Sequence, residues 1–136
     1  MKQSKYIPGD WVKASGHLCK VEEVFVNRFT KEYEYTLVYP NGNSSRIVVG
    51  EIEPVPLTSE ILDNNRWRRL KSRQYTWWKA RFDGVYYFIK PNKDYPSVWE
   101  LCRGKDRRRF EKIRYVHQLQ HFLFGLGLNS EMNLEV

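Results

Sequence analysis

The chain has 136 residues, 41% of them hydrophobic and 15% aromatic, with 23 Lys and Arg against 16 Asp and Glu for a formal charge of +7. That apolar content supports a packed core and excludes a wholly disordered chain. No apolar run reaches the roughly 20 residues of a membrane-spanning helix, and the opening MKQSKYIPGD has no apolar leader, so the sequence predicts a cytoplasmic protein with no membrane partner. The two cysteines, Cys19 and Cys102, are far apart and lack CxxC spacing, as expected of free, partly buried thiols.

The charge is concentrated. Residues 1–65 hold 7 Lys and Arg against 9 Asp and Glu, residues 66–114 hold 16 against 5, and residues 115–136 hold none against 2. The whole excess therefore sits in one central block, densest in 103–114 (RGKDRRRFEKIR).

In chain order, the first fifty residues predict a small antiparallel β unit. Pro8-Gly9-Asp10 is turn chemistry, followed by a strand from Trp11 and a second over Leu18 to Val26 beyond Ser15-Gly16. Glu32 to Tyr39 alternates, with Tyr33, Tyr35, Leu37 and Tyr39 sharing one face. Asn41-Gly42 predicts a type I′ hairpin turn, and Ser45 to Val49 the returning strand. Pro54 and Pro56 stop regular pairing. Thr58 caps a short helix from Ser59 to Asn64, with Glu60 in its first turn and Asn64-Asn65 supplying a left-handed stop.

The segment RWRRLKSR reads as a basic connector, and a second β region begins at Tyr75. Thr76 to Phe82, the Asp83-Gly84 turn and Val85 to Ile89 form a hairpin. Val98 to Arg103 and Arg107 to Phe110 follow as strands around a turn at Gly104-Lys105-Asp106. Ile113, Val116, Leu119, Leu123 and Leu126 recur at three or four residues and predict a C-terminal amphipathic helix, ended by Gly125 and Gly127. The expected architecture is α+β. One compact domain holds a β-barrel-like lobe at 1–57, a sheet-plus-helix lobe at 58–128 and a frayed tail at 129–136.

The opening YIPGDWVKASGHLCKVEEV resembles the first strands of SH3-like small barrels of the KOW and Tudor-like type, which implies a binding role to nucleic acid or peptide. The order GEIEPVPLTSEILDNN followed by IRYVHQLQHFLFGLGL is similar to small uncharacterised proteins of Bacteroides-type bacteria and their phages, whose blocks read EPIPLTPEIL and KYVHQLQ. Pro54, Pro56, Leu57, Thr58, Glu60, Ile61 and Leu62 match the first block, and Tyr115, Val116, His117, Gln118, Leu119 and Gln120 the second. Arg66-Trp67 departs from the usual Gly-aromatic pair, and the arginine cluster is not a feature of the group. The resemblance implies an architecture and a provenance, with no activity attached.

Among chemistry-bearing patterns, the basic block interleaved with aromatics leads. Guanidinium groups neutralise phosphates while flat rings stack on unpaired bases. The expected nucleic-acid-binding residues are Arg103, Lys105, Arg107, Arg108, Arg109 and Arg114, with Arg66, Arg68, Arg69 and Lys71 as a second patch. Arg107 and Arg109 share a strand face, and with Arg103 and Lys105 across the turn they predict a contiguous cationic surface. Trp77 or Trp78 supplies a stacking ring, because adjacent strand residues face opposite sides. The competing reading is a solvated sheet face over structural aromatics.

His117 and His121 are spaced to chelate, yet the HExxH glutamate is missing and the helical wheel turns both away from the apolar stripe. Glu22-Glu23, Glu32/Glu34 and Glu51/Glu53 alternate as solvent-facing residues should. No catalytic motif, metal set or cofactor cradle is expected. The sequence predicts a non-enzymatic nucleic-acid-binding accessory protein, or alternatively a phage or mobile-element interaction module whose basic face docks an acidic protein surface.

Overall fold

The computed structural model describes residues 5–48, 52–71, 76–104 and 108–134, without the side chains at 46–48 and 108–110. The chain divides into two units, 1–55 with 134–136 and 56–133. Both are built on antiparallel sheets of five strands, and two short helices belong to the second.

The first unit contains β1 (Trp11–Ala14), β2 (His17–Val26), β3 (Tyr33–Val38), β4 (Ser44–Val48) and β5 (Ile52–Pro54), in the order β4-β3-β2-β1-β5. Ser15 and Gly16 both take positive φ (52° and 79°), so a two-residue turn pairs Ala14 with His17. The Asn41-Gly42 turn differs from expectation. Of the two only Gly42 has positive φ (87°), Gly42 N donates to Tyr39 O, and Tyr39 N donates to Asn43 O. Proline at position 40 presets the first corner of that turn, so a longer loop replaces the type I′ pair. β4 and β5 are the sheet's two edges, and among the described residues no ladder joins them.

A bulge at Glu22 shifts the β2–β3 register between Val21↔Leu37 and Glu23↔Thr36. The extra residue sends Val21 and Val24 to the same face although they are three apart. Both pack with Tyr6, Val12, Ala14, Cys19, Tyr35, Leu37 and Ile52, while Glu22 and Glu23 are both exposed. Tyr33 and Tyr39 flank the same core. The Cys19 thiol is buried in it, and desolvation pushes its pKa up, opposed by a backbone hydrogen bond.

The second unit starts with α1 (Ser59–Asp63), whose Thr58 Oγ1 accepts the Ile61 N–H at 3.3 Å. It ends without the left-handed residue expected there. Asn64 is right-handed at φ −84°, and Asn65 Nδ2 instead donates to Ile61 O at 2.7 Å. The basic segment expected as a connector forms β6 (Arg68–Lys71), an edge strand beside β7 (Thr76–Phe82). Then come β8 (Val85–Pro91), β9 (Trp99–Arg103) and β10 (Arg108–Ile113), in the order β10-β9-β8-β7-β6. Asp83 and Gly84 both have positive φ, 49° and 80°, which closes the β7–β8 hairpin on two residues.

The last helix, α2 (Val116–Gly125), starts three residues later than its apolar spacing predicts, because Ile113 is the final residue of β10. The reason is local. Gln118 Oε1 accepts the N–H groups of Arg114 (2.7 Å) and Tyr115 (3.1 Å), which fixes the start at Tyr115. With Val116 as reference, Leu119, Gln120 and Leu123 fall within about 60° of it at 100° per residue. These residues and His117 are the buried ones. His117 thus faces inward, against the expectation drawn from a wheel anchored on Ile113. Gly127, at φ 73°, ends the helix with Leu128 N donating to Leu123 O at 2.9 Å and Gly127 N to Phe124 O at 3.0 Å.

The tail expected to fray at 129–136 is described as far as 134. Met132 and Leu134 are buried, and Asn133 exchanges two hydrogen bonds with Asn65 (2.7 and 3.0 Å).

Leu119 and Leu126 lie in the same sequence stripe but differ in burial, 0% against 43% exposed. Leu119→Ala should therefore lower unfolding free energy by about 2–5 kcal/mol. Leu126→Ala should stay within about 0.5 kcal/mol of the parent. Urea unfolding of the two variants checks both.

Candidate functional site

The second sheet has two chemically different faces, and the ladder register assigns residues to each. Directly opposed residues share a face. Trp78↔Ile89, Ala80↔Tyr87 and Phe82↔Val85 define one, continued on β9 by Leu101 and Trp99. Almost all of these are buried, and the rings meet edge-on: Trp78 and Trp99 at 5.4 Å, Phe82 and Tyr87 at 5.9 Å. Trp67 packs on Phe82 at 5.9 Å. Trp99 Nε1 donates to Leu57 O at 2.9 Å, and Trp78 Nε1 to Asp63 Oδ1 at 2.9 Å at the end of α1.

The opposite face carries the pairs Lys79↔Phe88, Arg81↔Tyr86, Arg68↔Lys79 and Leu70↔Trp77, with Cys102 opposite Phe88 and Glu100 opposite Lys90. Lys112 extends it across Glu100 on β10. Among the described residues, five cations (Arg68, Lys79, Arg81, Lys90, Lys112) thus share this face with one carboxylate, Glu100, which pairs with Lys90 at 3.4 Å. The cations sit against rings. The Lys79 ammonium lies 4.1 Å from the centroid of Tyr86 and the Arg81 guanidinium 5.6 Å from it. Lys90 lies 4.8 Å from the centroid of Trp77, itself edge-on to Phe88 at 6.2 Å. Arg68, Arg81, Tyr86 and Lys112 are exposed, whereas Phe88 and Cys102 are buried.

The residues expected from sequence divide across these faces. Arg68 belongs to the cationic face, where Trp77 is half-buried. Trp78 is 4% exposed, its ring packed on the core side and its Nε1 bonded to Asp63, so it is not a stacking ring. Arg69 shares the Trp78 face, pairs with Asp63 and lies 5.3 Å from the Trp78 ring. Lys71, opposite Thr76, falls on that same side. Arg66 is exposed in the turn after α1.

Arg103 is exposed, stands opposite Tyr87 and Arg108 in the ladder, and lies 6.0 Å from the Tyr87 ring. It therefore shares a side with position 108 and not with position 109, which corrects the expected grouping of Arg103 with Arg109. Arg114 is exposed between β10 and α2, its carbonyl accepting from Leu57 N at 3.0 Å. Lys105 and Arg107 lie outside the described residues, as do the side chains of Arg108 and Arg109.

Sequence reading left Lys79, Arg81, Lys90 and Lys112 out of the site, although Tyr86 was among the aromatics interleaved with the basic block. Their signal was present: Trp77, Lys79 and Arg81 alternate with Trp78, Ala80 and Phe82, a two-faced strand ending at a hairpin turn. Charges spaced two apart on a strand form a cationic surface only once neighbouring strands pair beside them.

Other clusters hold less. His117 and His121 stand edge-on at 5.4 Å, with Tyr115 stacked on His117 at 5.9 Å. Among the described residues no three His, Cys, Asp or Glu converge to hold a metal, and no helix is long and apolar enough to cross a membrane. Cys19 and Cys102 are free thiols. Comparison with family models, curated proteins and solved structures finds no match to this chain.

Hydrogen bonds from Trp78 Nε1 and Arg69 hold the Asp63 carboxyl below its ordinary value of 3.8. A depressed carboxylate contributes stability that is complete above its unfolded pKa and lost as pH falls through the folded one. Thermal melts between about pH 5 and pH 2 should accordingly show an acid-side loss that is smaller in Asp63→Asn than in the parent. Asn retains an acceptor for Trp78, so Asp63→Ala should melt lowest at neutral pH.

Proposed function

We propose that this chain is a non-enzymatic nucleic-acid-binding protein that acts through the cation-and-aromatic face of its second sheet. The observation that carries the reading is the grouping of Arg68, Lys79, Arg81, Lys90 and Lys112 with Tyr86 and Trp77 on one face, where Glu100 is the one carboxylate among the described residues. Charge distribution supports it. Residues 56–133 hold 16 Lys and Arg against 8 Asp and Glu, and the remaining residues hold 7 against 8. The whole positive excess therefore belongs to the unit that carries this face, and its field favours polyanions. Arg103, Lys105, Arg107, Arg108, Arg109 and Arg114 add to the charge of the same unit.

We read the first unit as SH3-like in kind, on the grounds that β1 to β4 form a meander and β5 returns to pair with β1. The two blocks that carry the resemblance to Bacteroides-type proteins meet side by side in the second unit. Pro56 bridges Tyr115, and Leu57 N donates to Arg114 O.

The test is fluorescence anisotropy with labelled nucleic acid at ~50 and ~200 mM salt, where counterion release is resolved. Neutralising four to six phosphates gives a log-log slope of roughly −4 to −5 on duplex DNA. The triple variant Arg68→Ala, Lys79→Ala, Arg81→Ala should flatten it by about 2 to 3 and weaken all sequences alike. Replacing Arg107, Arg108 and Arg109 by Ala should flatten it independently. Wild-type affinity in both triples, or no binding at the lower salt, would overturn the proposal and favour an acidic protein partner.

A further inference from the structure

We infer that the Tyr86 face accepts single-stranded nucleic acid in preference to duplex, with an unpaired base stacking at Tyr86 and a second at Trp77; this rests on the nucleic-acid reading above. Tyr86 is a large aromatic left 39% exposed on an inner strand of the sheet, while Tyr87, next to it, fills the core. The ring lies beside two cations, with the Lys79 ammonium 4.1 Å and the Arg81 guanidinium 5.6 Å from its centroid.

Four residues further along the ladder the arrangement repeats with Trp77 and Lys90 at 4.8 Å. At about 3.3 Å per residue the two rings are offset by roughly 13 Å along the strands. A ring paired with a flexible ammonium suits a strand whose phosphates and bases alternate. The cation moves to a phosphate, and the vacated ring face takes a base.

Duplex recognition asks for something different. Base edges in the major groove are reached by a protruding helix or a two-stranded ribbon. Here α1 is tied to the opposite face through Asp63, and the reactive side chains stand on the pleated surface itself. A sheet with aromatics on neighbouring strands is a stacking platform, and stacking requires bases free of a partner strand. Charge complementarity agrees, because Glu100 is already paired with Lys90, and among the described residues Arg68, Lys79 and Arg81 face no carboxylate in the ladder rows they occupy.

The experiment uses the full chain with three probes at one salt concentration: labelled oligothymidylate, the same strand annealed to oligodeoxyadenylate, and heparin as a polyanion without bases. Oligothymidylate should bind more tightly than its duplex and quench tryptophan fluorescence. Tyr86→Ala should weaken oligothymidylate binding by about 5- to 150-fold, the alanine cost of one base–aromatic stack, and leave duplex and heparin binding unchanged. Tyr86→Phe keeps the ring and should bind as the parent does, and unchanged thermal melts establish that both variants are folded. A Tyr86→Ala variant that loses all three probes equally, or none, overturns the stacking inference while leaving polyanion binding in place. Failure of the parent to bind any of the three overturns the nucleic-acid reading itself.

Discussion

The register of the β7–β8 hairpin is the constraint on which the second unit depends. Asp83 and Gly84 close it on two residues with φ of 49° and 80°, conformations that set the pairing Phe82↔Val85 and all pairs behind it. A slip of one residue would turn Trp78, Ala80 and Phe82 outward and drive Trp77, Lys79 and Arg81 into the core. Burying two cations without partners costs far more than the turn contributes, so turn and side-chain pattern enforce the same register. The candidate interface is therefore a consequence of core packing: whatever strand alternation keeps out of the core collects on the other side.

Asp63 links that core to the chain before it. Its carboxylate accepts from Trp78 and pairs with Arg69, so the end of α1 is tied to two strands of the sheet. The arginine next to Arg68 is thereby used structurally, which separates two adjacent charges into different roles. Asn65 does similar work in the opposite direction, satisfying Ile61 O and holding Asn133. In the first unit the comparable device is the bulge at Glu22, which brings Val21 and Val24 to one face and leaves two consecutive glutamates exposed.

Much of the strand layout was legible in the sequence because strands and their turns are local. Ser15-Gly16 and Asp83-Gly84 announce two-residue hairpins, and Tyr35 and Leu37 fall on the core side as alternation requires. The departures share a physical origin in interactions distant along the chain or in competing local bonds. RWRRLKSR looks like a connector by composition, yet Arg68–Lys71 pairs with Thr76–Lys79 as an edge strand, where exposed cations are well tolerated. Ile113 fits the helical stripe, but opposite Trp99 it completes a strand, and Gln118 starts the helix after it.

The sequence by itself determined that the chain is α+β with short antiparallel strands, and that its positive charge resides in the central block, because propensity, turn chemistry and formal charge are properties of neighbouring residues. The tertiary structure decided which charges stand together. Lys79, Arg81, Lys90 and Arg68 come from three strands and meet only through the ladder, while Arg69, Arg68's immediate neighbour, faces the other way and binds Asp63. It also decided that Trp77 looks toward the cations and Trp78 into the core. Strand alternation says that two adjacent tryptophans face opposite sides, and only the helix packed against one of those sides determines which is buried.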